Sequence, residues 1–86
     1  MLESKYQKKL IDRFTKQGYY VLNLIKTNKN GVSDLLCLKS GEPPMFIEVK
    51  TLTGKMSELQ KFRLREQSKL GFNTYYTKGD ELIKFI

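Results

Sequence analysis

Asp34 follows Gly31-Val32-Ser33 at the head of the apolar run Leu35 to Leu38, and Glu48-Val49-Lys50 closes a second apolar run. Two carboxylates and one amine therefore stand where extended segments begin or end. Oxygen donors of this kind suit magnesium, which keeps several waters and is commonly held by one or two carboxylates together with substrate phosphate. Such an ion polarises a phosphoryl oxygen and acidifies its water. Lys50, beside it, is placed to position or deprotonate a nucleophile, or to neutralise charge building on a phosphate. Side chains alternate along a strand, so Glu48 and Lys50 share one face while Ile47 and Val49 point into the core. The Val49 carbonyl stays available as a further ligand.

The rest of the chemistry is bounded by what is absent. The 86 residues contain no histidine, which removes Ser-His and Cys-His nucleophile pairs, imidazole acid–base catalysis and His-containing zinc sites. Neither GxGxxG nor GxxxxGK[ST] occurs, which argues against a glycine loop cradling phosphates. Sixteen Lys and Arg oppose nine Asp and Glu, a net charge of +7, and such an excess concentrates phosphate polymers around a protein. Nucleic acid is the partner this predicts. A membrane partner is not expected, because the apolar runs are short and no basic amphipathic anchor is present. Met1 to Lys9 is charged and polar, unlike a signal peptide, and Cys37 is the single cysteine. Both features predict a reducing, cytoplasmic setting.

The elements that must position these groups make one small domain, residues 1–86, with a limited core. Tyr6, Leu10 and Phe14, spaced four apart, predict a helix over Leu2 to Lys16 with one apolar stripe, ended by Gly18. Tyr19 to Ile25 is rich in aromatic and branched residues and reads as a strand, followed by a polar loop, Lys26 to Gly31. Asp34 to Lys39 and Met45 to Thr51 read as strands joined through Ser40-Gly41-Glu42-Pro43-Pro44, a connection short enough for an antiparallel hairpin. Ser57-Glu58-Leu59-Gln60 has capping-box spacing and predicts a second helix from Ser57 to Leu70, with Gly71 beyond its end. Phe72 to Thr77 reads as a fourth strand. Asp80 to Ile86 reads as a short helix, with a last strand as the alternative. Tyr19, Tyr20, Tyr75 and Tyr76 read as sheet packing rather than as base-stacking platforms.

In this order and at these separations, Gly31-Val32-Ser33-Asp34-Leu35-Leu36, Phe46-Ile47-Glu48-Val49-Lys50-Thr51 and Ser57-Glu58-Leu59-Gln60-Lys61 resemble the PD-(D/E)xK nucleases. Among these, the resemblance is to the small virus-type replication-repair nuclease (VRR-NUC) domains. Ser33 stands where those domains typically carry proline, which relaxes the entry to the Asp34 strand. The resemblance implies an α/β restriction-endonuclease-like core of order α-β-β-β-α-β around a mixed central sheet. It implies Asp34 and Glu48 as metal ligands, Lys50 as the catalytic lysine, and Mg2+ or Mn2+ as cofactor. Glu3 on the first helix and Gln60 on the second correspond to family positions near the metal. It further implies a homodimer similar to Holliday-junction resolvases, acting on branched or duplex DNA in a bacterium or phage-infected host. The chain's length of 86 residues also permits a subunit that acts only beside a helicase or other replication partner.

Each residue also has a local reading. Glu-x-Lys at a strand end commonly forms a surface ion pair, and Asp34 can cap its own backbone. Gln60 is the reciprocal partner of Ser57 in the capping box, and Glu3 suits the first helical turn through the dipole alone. Lys61, Arg65 and Lys69 recur every fourth residue and, with Lys26 and Lys29 in the loop, are the candidate phosphate contacts, although charged faces on short helices are often simply solvated. The sequence therefore predicts a metal-dependent DNA endonuclease. Its alternatives are a non-catalytic basic nucleic-acid-binding module and a nuclease subunit active only beside a partner.

Overall fold

A stripe of apolar side chains decides where the first helix lies. The computed structural model describes residues 1–86, and α1 runs from Glu3 to Lys16 with Tyr6, Leu10 and Phe14 buried. These three enter one cluster with Leu35, Cys37, Met45, Ile47 and Val49. Leu2 precedes the helix without a side-chain cap, so packing of the apolar face, rather than its N-terminus, fixes α1.

The strands are β1 (Tyr20–Asn23), β2 (Leu35–Leu38), β3 (Met45–Glu48), β4 (Asn73–Lys78) and β5 (Glu81–Lys84), and α2 spans Glu58–Lys69. The first three are shorter than their sequence patterns suggest. Asp34 lies just before β2, and Val49 and Lys50 lie just beyond β3. Strand order in the sheet follows chain order, β1 to β5. Every neighbouring pair is antiparallel except β3 with β4, which is parallel. Parallel neighbours need a crossover, and α2 supplies it.

The two faces of the sheet are covered differently. Ile47 and Val49 are fully buried in the cluster beneath α1. Glu48 points the other way, where Gln60 of α2 meets it. Ser57 caps α2: its hydroxyl accepts from the Gln60 N–H while the Gln60 side chain accepts from the Ser57 N–H, a complete capping box.

The C-terminal segment is the correction. A short helix was the favoured expectation for Asp80 to Ile86, whereas residues 81–84 form β5, antiparallel to β4, with Lys78 opposite Glu81. Gly79-Asp80 is a two-residue hairpin turn, and Gly79 adopts φ +63, as glycine readily does at the first turn position. A helix of so few residues cannot repay its nucleation, while a hairpin completes the open edge of β4 at once. A Cβ on Gly79 would also come within 2.9 Å of the Leu52 side chain.

Candidate functional site

The register of the central hairpin builds the site. Leu35 pairs with Ile47 across antiparallel strands, so one step outward Asp34 stands opposite Glu48 on the same face. Their carboxyl groups come within hydrogen-bonding reach of each other. The backbone reinforces this approach, because the Val49 N–H donates to Asp34 Oδ2 at 2.8 Å.

Asp34 is thereby held by the very segment that carries the second carboxylate. No backbone N–H donates to the Val49 carbonyl, although Val49 is fully buried. In extended backbone a residue's N–H and C=O face the same side, so that carbonyl lies on the Asp34 edge.

Glu48 is only 2% exposed. Burial, then a hydrogen bond and repulsion from Asp34, push its carboxyl up to about 9; Lys50 pulls it down and Glu3 adds a further upward push. Gln60 Nε2 donates to the Glu48 Oε2 oxygen at 3.2 Å, and the Lys50 ammonium forms an ion pair with the same oxygen at 3.8 Å. Positive charge from one lysine does not offset what the buried pair carries, and a hard divalent ion would. Asp34, Glu48 and the Val49 carbonyl are the oxygen donors that fit one.

Lys50 is itself fixed by its backbone. Its N–H donates to Thr77 Oγ1 at 2.8 Å, and the same hydroxyl donates to its carbonyl at 3.2 Å. Thr77 is buried at the end of β4, and the parallel pairing that brings it here has no local signal in the sequence. Gln60 makes two contacts at once: Oε1 accepts from the Ser57 N–H at 2.9 Å while Nε2 reaches Glu48.

Glu3 stands apart. It reaches the pair only as a nearby charge, and no group of three acidic, Cys or His side chains gathers closely enough to hold an ion. The candidate phosphate contacts are also divided. Lys61 lines a cleft with Lys50, whereas Lys29, Arg65 and Lys69 line a separate depression with Phe62. Lys26 is exposed on the loop and belongs to neither.

That loop is clamped by a residue the sequence reading passed over: Arg63 Nε donates to the Asn30 carbonyl at 2.8 Å. Next to it Gly31 has φ +79, and a Cβ there would meet Leu59 at 2.6 Å. The loop thus closes on α2 only with glycine at that position. Of the tyrosines, Tyr19 and Tyr75 pack against the core, but Tyr20 is exposed and Tyr76 walls the Lys50 cleft. Cys37 is a buried free thiol, and burial pushes it up to about 11.

Sheet, crossover helix and paired carboxylates define an α/β domain with an acidic site flanked by lysine. Residues 19–81 match the family model of the VRR-NUC domain, and the chain belongs to this family of nuclease domains. A solved structure described as a VRR-NUC domain is similar, with a TM-score of 0.79 and 26% sequence identity over 91% of this chain and 85% of that one. No curated protein matches the chain. Asp34, Glu48, Lys50 and Gln60 lie within the matched stretch, and Glu3 lies before it.

Proposed function

We propose that the chain is a Mg2+- or Mn2+-dependent endonuclease that hydrolyses DNA phosphodiester bonds. Its proposed substrate is branched DNA, cut in the manner of a Holliday-junction resolvase by a homodimer. The observation that carries this reading is the convergence of Asp34, Glu48 and Lys50 on one face, with Lys50 3.8 Å from Glu48.

Asp34, Glu48 and the Val49 carbonyl would hold the ion. When bound, it supplies Lewis acidity toward the phosphoryl oxygen and lowers the pKa of water. Gln60 fixes the Glu48 carboxylate, so its free lone pairs keep one direction. Lys50, anchored through Thr77, keeps an ammonium beside the carboxylates, where charge accumulates on a phosphate under attack. The net charge of +7 attracts the polyanion without reading its bases. Work in the cytoplasm, beside a helicase or other replication partner, completes the proposal; no helix is long and apolar enough to cross a membrane.

The test incubates purified protein and manganese with labelled duplex, single strand, flap and four-way junction, and maps the cuts. Paired symmetric nicks at the junction, absent in Asp34→Ala, are expected. Cleavage undiminished in both Asp34→Ala and Glu48→Ala would reject the assignment. Calorimetry supplies a second arm: manganese binding that vanishes in Asp34→Ala is expected, and no binding even with DNA present would leave a non-catalytic nucleic-acid-binding module.

A further inference from the structure

Beside Lys50 opens a cleft of about 740 Å³ between the segment after β3 and the β4–β5 end of the sheet. Its charged lining has one sign: Lys50, Lys55, Lys61, Lys78 and Lys84 contribute, and no carboxylate residue does. Lys50 and Lys61 are already engaged by Glu48 and Glu58, and Lys84 reaches Asn73 Oδ1 at 3.4 Å and lies over the Tyr75 ring, whereas Lys55 and Lys78 take part in no ion pair. Two ammonium groups are therefore free to meet an anion.

Register explains the arrangement. Glu48 pairs with Tyr76 across the parallel strands, and the Gly79 N–H donates to the Lys50 carbonyl at 3.0 Å. Lys78 therefore lies level with Lys50, and strand alternation puts Tyr76 and Lys78 on the face of Glu48 and Lys50. Tyr76 in turn meets Phe85 edge to face, with ring centroids 6.4 Å apart. Both rings line the cleft. An aromatic wall, two unpaired ammonium groups and the carboxylate site thus lie in sequence along one surface.

We propose that this cleft is a subsite for single-stranded DNA, holding the nucleotide next to the bond that is cut. Its base lies against Tyr76 and Phe85, and its flanking phosphates meet Lys78 and Lys55. Aromatic walls beside positive charge are the combination that grips unpaired strands irrespective of sequence. Size makes the same selection. The cleft falls within the roughly 300–1,000 Å³ of small-ligand pockets, a volume suited to one nucleotide. Strands that splay at a branch point or flap present unpaired nucleotides to it, and blunt duplex does not. The position relative to the cut depends on the nuclease reading; the binding itself does not.

The experiment measures fluorescence anisotropy of a short labelled oligothymidylate and of a blunt duplex across a salt series in chelator, alongside manganese-dependent cleavage of a forked substrate. Lys78→Glu is expected to weaken oligothymidylate binding about tenfold or more and to lower the salt slope by about one, with Lys78→Arg restoring both. Tyr76→Ala is expected to weaken it at least about fivefold while Tyr76→Phe does not; thermal melts identify a variant that fails to fold, in which case Lys78→Glu decides. Wild-type affinity in Lys78→Glu, or an equal loss on blunt duplex, would overturn the subsite. Lys78-dependent binding by a protein that cuts nothing would support the cleft and sink the nuclease reading. Cutting that ignores both Lys78 and Tyr76 would do the reverse.

Discussion

The two faces of the same three-residue stretch do opposite things. On one side Ile47 and Val49 are fully buried beneath α1, among Tyr6, Leu10 and Phe14. On the other, Glu48 is nearly as buried yet finds a second carboxyl, an amide and an ammonium. Burying an aliphatic group is favourable, whereas burying a carboxylate is costly unless it is paired. The α1 face accumulates stability; the α2 face gives some of it up by burying a carboxyl beside other polar groups. The second helix reflects this, since its buried residues are Leu64 and the polar Gln67.

Glu48→Gln should break the contrast hardest. The amide keeps size and shape but cannot carry the charge that holds an ion, so manganese-dependent cleavage is expected to fall by at least about 10³-fold. DNA affinity measured without metal at neutral pH should stay level, because buried Glu48 already keeps its proton there and the amide changes no charge. Cleavage within a few fold of wild type would show that the polar face is not the reacting one.

On the opposite face, Ile47→Ala should cost about 2–5 kcal/mol of stability through lost burial and a cavity. Urea unfolding measures it. The same protein, assayed where it remains folded, should keep most of its cleavage rate, and a loss as large as that of Glu48→Gln would deny that the faces are separable.

Acidity offers a finer cut. Glu48 titrates near 4.5 in the unfolded chain and is pushed up to about 9 by burial beside Asp34 in the fold. Between those values the folded protein holds a proton that the unfolded chain has released, so folding stability falls as pH rises. In chelator, thermal midpoints should be higher at mildly acidic than at mildly alkaline pH. Manganese should counter the decline, because it binds the ionised pair. Glu48→Gln should flatten the profile, and a slope identical to wild type would assign the effect elsewhere.

The smallest expected difference separates the two duties of Gln60. Ser57→Ala removes only the cap and should cost about 1 kcal/mol with little change in rate. Gln60→Ala removes its half of the capping box and the hydrogen bond to Glu48 together, and should lower kcat as well. Equal kinetics in the two variants would reduce Gln60 to a capping residue.

Local periodicity carried much of this into the sequence. Four-residue spacing of Tyr6, Leu10 and Phe14 was enough to orient α1, two-residue spacing was enough to put Glu48 and Lys50 opposite Ile47 and Val49, and Ser57 with Gln60 announced the start of α2. Gly79-Asp80 is also a readable hairpin signal, and it favours the last strand over the short helix. These patterns are legible because each is decided by neighbours within a turn or a pleat.

Pairing between distant strands was not legible in that way. Asp34 meets Glu48 because of the register of β2 on β3, and Thr77, Tyr76 and Lys78 arrive only through the parallel crossover of β4. The division of Lys61 from Arg65 and Lys69 likewise depends on which neighbours α2 meets along its length. Helix and strand periods fix which way a side chain points, but not which remote segment it faces. That choice is made when the whole core closes, because register is specified by the burial of every strand at once.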